Sequence, residues 1–150
     1  MANPSKIKGS AYELKIKDIL TDYFKEKFER VPLSGSLSYL KGDIWCPTKY
    51  TEWPYTIECK HYAELDFNNL LTAKSNDLFS FWRQAEEEAK VMQKKPLVCF
   101  RWNRSKDFVI FQEDFDLDNQ MHIKAFGFDI KISLLNDFLP KINFINSGKK

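Results

Sequence analysis

The stretch at residues 55–60, YTIECK, has the aromatic and β-branched content of a strand, yet it carries a glutamate and a lysine. Side chains alternate across a strand, so Tyr55, Ile57 and Cys59 share one face while Thr56, Glu58 and Lys60 share the other. A chain folded around this segment must seal the first face with an apolar layer and find a use for two opposite charges on the second. Taken alone, E-x-K is satisfied by a solvated ion pair worth about a few tenths of a kcal/mol. The surrounding elements decide whether it does more.

Helical spacing precedes it. In GSAYELKIKDILTDYFKEKFERV, Tyr12, Ile16, Ile19, Tyr23 and Phe28 recur with Lys and Glu between them. This predicts an amphipathic helix of about five turns, opened by Ser10, with Glu13 completing a capping box. Pro32, Gly35 and the serines of PLSGSLSYLKG end it in a polar loop. DIWCP reads as a short strand stopped by Pro47, and TKYTEWP connects it to YTIECK. HYAELDFNNLLTAKSN has no clean period. A second helix follows in NDLFSFWRQAEEEAKVMQKK through Leu78, Phe81, Trp82, Ala85, Ala89 and Met92, with Asn76 or Ser75 as its cap. PLVCFRW and DFVIFQE flank the turn NRSK as a strand pair, MHIKAF and FDIKI are two further strands, and SLLNDFLPKI is a short terminal helix capped by Ser133. Helix, strands, helix, strands is the order of an α/β domain with a mixed central sheet flanked by helices.

With 43% hydrophobic residues, 13 of them Phe, the 150 residues suffice for one core, and a single domain over 1–150 is expected. No apolar run approaches the roughly 20 residues that span a bilayer, and MANPSKIKGS offers no signal segment, so an intracellular protein with no membrane partner is expected. Cys46, Cys59 and Cys99 lack CxxC spacing and are expected as free thiols in apolar positions; the two histidines, His61 and His122, stand far apart, which disfavours zinc. If the strand continues, His61 faces away from Lys60. Net charge is only +2, but basic residues gather in KIKGS, at Lys94 and Lys95, and in RWNRSK with Arg101 and Arg104, which favours a polyanionic partner. Trp45, Trp53 and Trp82 are candidates for core, interface or base stacking.

If the strands DIW and YTIECK pair, Asp43 joins Glu58 and Lys60 at one sheet edge. Carboxylate oxygens are the ligands Mg²⁺ prefers, with phosphate and water completing its shell. Lys60 could orient or deprotonate the attacking water, or neutralise the charge that builds on phosphorus. Each residue also has a structural use, Asp43 in closing a turn after Gly42 and Glu13 in capping its helix.

GSAYE, the loop VPLSGS, and then KGD with IECK resemble the PD-(D/E)xK nuclease superfamily, and more narrowly its archaeal and phage Holliday-junction-resolvase-like branch. The resemblance covers residues 9–60 and extends through WRQAEEEA and PLVCFRW. It implies a restriction-endonuclease-like core and a Mg²⁺ site, with Mn²⁺ able to substitute and no organic cofactor. Glu13, Asp43, Glu58 and Lys60 match the motif; Asp43, Glu58, Glu13 and a backbone carbonyl near Cys59 would hold the metal. Gln84 matches the glutamine of the helix after E-x-K and would contact a substrate phosphate or a metal-bound water. Ser34 and Ser36 match the family's loop serine and would hold phosphate. Gly42 stands where the superfamily has proline.

The implied activity is hydrolysis of duplex or branched DNA, by a homodimer if both strands are cut, in a cytoplasmic, nucleoid-associated or virus-encoded setting. An RNA endonuclease and a non-cleaving binding protein on the same fold are the alternatives. The intact acidic set speaks against the second, since gathered carboxylates repel one another without a metal.

Overall fold

The computed structural model describes residues 4–32, 40–65 and 77–144. Its first helix, α1 (Pro4–Phe24), begins well before Ser10. Proline has φ preset for a helix and no N–H to leave unpaired, so Pro4 opens the first turn. Ser10 therefore lies inside α1, and the expected capping box with Glu13 does not form. The helix also ends earlier than its spacing predicts. Lys25 adopts φ 60°, its N–H returns to the Thr21 carbonyl at 2.9 Å, and the Thr21 hydroxyl accepts the Phe28 N–H at 3.1 Å. A left-handed residue just past the helix turns the chain away, and Glu29–Arg30 becomes strand β1 instead of a last helical turn.

Among the described residues seven strands form one mixed sheet in the order β1-β2-β3-β4-β5-β7-β6. The others are β2 (Ile44–Trp45), β3 (Tyr55–Tyr62), β4 (Lys95–Trp102), β5 (Phe108–Phe111), β6 (Gln120–Ala125) and β7 (Phe128–Leu134). β3 and β4 run parallel, with Glu58 beside Val98 and Lys60 beside Phe100. A parallel pair needs a crossover, which passes through helix α2 (Asp77–Met92). Its cap candidates Ser75 and Asn76 lie outside the described residues. The remaining neighbours pair antiparallel. Phe126 and Gly127 turn β6 into β7 with φ of 54° and 82°, the two left-handed residues that a two-residue hairpin requires.

The two faces are sealed by different helices. Tyr12, Ile16, Leu20 and Phe24 recur every fourth residue and bury α1 against Ile57, Cys59, Leu97, Cys99 and Val109. The stripe continues through Leu20 and Phe24, where the spacing predicted Ile19 and Tyr23; Ile19 is only partly buried and Tyr23 is exposed. On the other face Leu78, Phe79, Trp82 and Ala85 of α2 pack against Tyr62, Val98, Phe100 and Ile110. Each side chain that moves from water into these layers contributes about 1.5–3 kcal/mol when large and apolar. All three cysteines are free and buried. Trp53 and Trp82 are core residues, while half-buried Trp45 meets Tyr50 edge-on.

The terminal helix α3 (Leu135–Phe138) starts one strand residue later than expected. Ser133 belongs to β7, and its hydroxyl donates to the Asn119 carbonyl instead of capping α3. The Leu135 N–H is met by the Asp107 carbonyl at 2.9 Å. No helix among the described residues is long and apolar enough to cross a membrane.

Candidate active site

The site is assembled where β2 leans on β3. Gly42 has φ +91°, and a Cβ there would stand 3.0 Å from both the Ile57 carbonyl oxygen and Thr56 Cγ2. Only glycine allows this approach without strain. It brings Asp43 down onto the neighbouring strand: its N–H donates to the Ile57 carbonyl at 2.7 Å, and its Oδ2 accepts the Cys59 N–H at 2.8 Å. Asp43 is thus fastened to the residues on either side of Glu58.

Glu58 is 4% exposed, on the face of β3 that α2 covers. Its Oε2 is buried and meets no donor among the described residues. From α2, the Glu88 carboxylate lies in hydrogen-bonding contact with Glu58 and is approached by the Gly42 N–H. Gln84 Nε2 donates to Glu88 Oε2 at 3.3 Å, one helical turn away. Burial above all, then the contact with Glu88 and the charge of Asp43, push the Glu58 carboxyl up to about 10. Two touching carboxyls without another donor must share a proton. The hydrogen bond from Glu58 accordingly holds Glu88 below the usual carboxylate range. Burial likewise pushes Asp43 up to about 7, against the pull of the Cys59 N–H.

Lys60 lies two residues beyond Glu58 on the same face, exposed, with its ammonium 5.7 Å from the centre of the Tyr62 ring. His61 points to the α1 side, where its ring meets Tyr12 edge-on. Glu13 projects from α1 and accepts the Arg30 Nε–H at 3.0 Å. Its charge still acts on the site, raising both Asp43 and Glu58.

Among the described residues no three His, Cys, Asp or Glu side chains are grouped so as to hold a metal ion. Of the expected ligands, Asp43 and Glu58 are the two carboxylates brought together, and the backbone near Cys59 lies beside them on β3. Glu13 is committed to Arg30. The Cys59 thiol is buried on the α1 face, where burial holds it far above its ordinary pKa, so this residue serves the site through its backbone. An all-oxygen pair with one orphaned buried oxygen fits Mg²⁺ or Mn²⁺, which accept one or two carboxylates and fill the rest of the shell with water and phosphate.

The basic residues do not form one surface. Lys94 and Lys95 stand at one end of β4 and Arg101 at the other, about 20 Å away along an eight-residue strand. The Lys94 ammonium is spent on the Tyr50 and Trp53 carbonyls, and Lys95 faces Glu113 at 3.8 Å. Arg101 Nη2 donates to the Ser105 carbonyl at 3.1 Å, whereas Arg104 is exposed at the turn with φ 70°. Ser34 and Ser36 lie outside the described residues.

Two members of the cluster went unread in the sequence. Arg30 was absorbed into the expected end of the first helix. Glu88 sat in the run EEE, although its place four residues after Gln84 put both on one helix face.

The chain matches the family model described as "Phage putative PDDEXK endonuclease" over residues 4–137. It is also similar to "Protein D14" of Escherichia phage T5, with 32% identity over 111 residues, 71% of this chain and 69% of that protein. No solved structure matches it significantly. With the family match running from the first turn of α1 into α3, and with an aspartate before β2, E-x-K in β3 and a helix crossover to β4, the chain belongs to the phage PDDEXK endonuclease family of the PD-(D/E)xK nuclease superfamily.

Proposed function

We propose that the protein is a Mg²⁺-dependent endodeoxyribonuclease that hydrolyses phosphodiester bonds in duplex or branched DNA, Holliday junctions among them. The observation that carries this reading is Glu58 Oε2, a buried carboxyl oxygen with no hydrogen-bond donor among the described residues, on a group that feels both Asp43 and Glu88. In the metal-free fold a proton shared with Glu88 offsets the buried charge of Glu58, whereas a divalent ion would offset the charges of Asp43 and Glu58 together.

Asp43 and Glu58 would hold the ion, which when bound supplies polarisation of a phosphoryl oxygen and acidification of a water. The Cys59 N–H fixes the Asp43 carboxylate through Oδ2 and so sets the direction of its other oxygen. Lys60, exposed at the mouth and on the same face as Glu58, positions the attacking water or accepts its proton, and offsets charge on the phosphate as the bond to the leaving oxygen breaks. Glu13, paired with Arg30, adds negative charge beside this centre. Arg104 and Arg101, at the same end of β4 as Lys60's neighbour Phe100, are the better placed of the basic candidates to meet DNA backbone. One site per chain cuts one strand, so cutting both strands symmetrically calls for a homodimer. The phage relative supports a virus-encoded enzyme.

The test compares purified protein on linear duplex, flap, four-way junction, single-stranded DNA and RNA, with Mg²⁺, with Mn²⁺ and with chelator. Metal-dependent cleavage of the duplex or branched DNA is expected. Binding without cleavage under every metal condition, or cleavage of RNA alone, would replace this reading.

A further inference from the structure

Resting on that reading, we infer that Glu88 is the positioning residue of the metal site, a carboxylate that ties α2 to both ligand-bearing strands without being a ligand itself. Its contacts are unusual for a glutamate in a helical run of acids. Within one helical turn it takes the Gln84 Nε2–H at 3.3 Å. Across the gap between layers it is approached by the Gly42 N–H and touches the Glu58 carboxyl. Gly42 leads directly into Asp43, so one side chain reaches the residue before the first ligand and the side chain of the second.

The arrangement explains two further features. Gln84 gives one N–H to Glu88 and so steadies its rotamer. Gly42 sits at φ +91° where a Cβ would stand 3.0 Å from β3, a close approach that the hydrogen bond from its N–H to Glu88 helps to hold. Groups that orient metal ligands typically matter by about 10–100-fold in metal affinity. Removing the tether should therefore loosen the ligand pair more than it destabilises the fold, because α2 is anchored independently by buried Leu78, Phe79, Trp82, Ala85 and Ala89.

The experiment is calorimetric titration of Mg²⁺ into metal-free protein, for the parent, Glu88→Ala, Glu88→Gln and Gln84→Ala, with melting curves alongside. The parent should bind Mg²⁺. Glu88→Ala should weaken binding about tenfold or more. Glu88→Gln should stay within about threefold of the parent, since its amide oxygen still accepts the Gly42 N–H and its NH₂ can donate to Glu58. Gln84→Ala, at an exposed position, should weaken binding a few-fold and keeps the test valid should Glu88→Ala fail to fold. Equal affinities in the parent, Glu88→Ala and Gln84→Ala overturn the inference. Glu88→Gln falling as far as Glu88→Ala also overturns it, because the charge and not the hydrogen bond would then be what counts. A parent that takes up no Mg²⁺ strikes instead at the nuclease reading, so the two failures are told apart.

Discussion

The Cys59 N–H donates to Asp43 Oδ2 at 2.8 Å, while the Asp43 N–H donates to the Ile57 carbonyl at 2.7 Å, so one aspartate grips β3 at the residues on both sides of Glu58. This places the two carboxylates by backbone hydrogen bonds, which tolerate side-chain exchange elsewhere in the core better than a packed contact would.

Asp43→Asn follows from that grip. The asparagine carbonyl can still accept the Cys59 N–H, so the fold should survive, and loss of a buried charge should leave the melting temperature at pH 8 equal to the parent's or higher. Cleavage should fall by about a hundredfold or more for want of a charged ligand. DNA binding should hold or tighten, since less negative charge faces the phosphate. Single-turnover rates and a binding assay in chelator read the two effects; a variant that cuts at the parent rate removes Asp43 from the chemistry.

Gly42→Ala tests the approach itself. The new methyl would meet a backbone oxygen at 3.0 Å with φ at +91°, and backbone cannot swing aside as a long side chain does. A loss of about 1–3 kcal/mol is expected, with Mg²⁺ affinity falling in step as Asp43 is pushed from Glu58. Urea unfolding and Mg²⁺ titration measure both, and an alanine variant as stable as the parent would mean that β2 can retreat from β3.

Lys60→Ala separates rate from ligation. The side chain is exposed, with its ammonium over the Tyr62 ring, so stability should change by less than about 0.5 kcal/mol. An ammonium is no metal ligand, so Mg²⁺ affinity should persist while the cleavage step slows by about 10²–10⁴-fold. Metal binding lost along with the rate would reassign the residue.

Much of this arrangement is legible in the sequence, and the exceptions have causes. The alternation in β3 placed Glu58 and Lys60 together because a strand's period of two is rigid, and Tyr55, Ile57 and Cys59 are indeed the face that α1 buries. The order of elements gave the mixed sheet, since a helix between two apolar strands implies a crossover. Helix ends were misread where local signals competed. Ser10 with Glu13 satisfies the capping pattern, but Pro4 starts the helix earlier, and Lys25 stops it with a left-handed turn that no glycine announced. Glu88 was hidden because a run of three acids on a helix reads as a solvated face; only the packing of α2 on β3 singles out the one that turns inward.

Ser10→Ala turns the misread cap into a measurement. A serine that caps a helix stabilises it by about 1 kcal/mol, whereas one inside a helix is a slightly poorer residue than alanine. With α1 starting at Pro4, Ser10→Ala should leave stability unchanged or raise it by about a few tenths of a kcal/mol. A loss near 1 kcal/mol in urea unfolding would move the helix start back to Ser10.

The last expectation concerns pH, and its sign is the reverse of the usual carboxylate. An unfolded chain titrates its glutamates near 4.3 and its aspartates near 3.9, roughly. In the folded chain burial pushes Glu58 up to about 10 and Asp43 up to about 7. Between the unfolded and folded values the native state therefore holds protons that the unfolded state has released, and stability falls as pH rises. The fall should begin near pH 4.5, lose the Asp43 contribution above about 7, and continue through Glu58 toward 10, at no more than about 1.4 kcal/mol per unit for each proton. Glu88, held low by its hydrogen bond from Glu58, acts in the opposite sense and only at the acid end, below the ordinary carboxylate range. Urea unfolding of metal-free protein at pH 5.5, 7 and 8.5, values chosen to span about this window, should show the midpoint dropping with pH. Glu58→Gln cannot ionise and can donate to Glu88, so its midpoint should drop less and lie above the parent's at the alkaline end. Mg²⁺ should restore the parent there, by offsetting the charges of Asp43 and Glu58, and should do little for Glu58→Gln. A parent whose stability rises over this range, in parallel with the glutamine variant, would show that Glu58 is ionised in the metal-free fold and that its buried oxygen has found another donor.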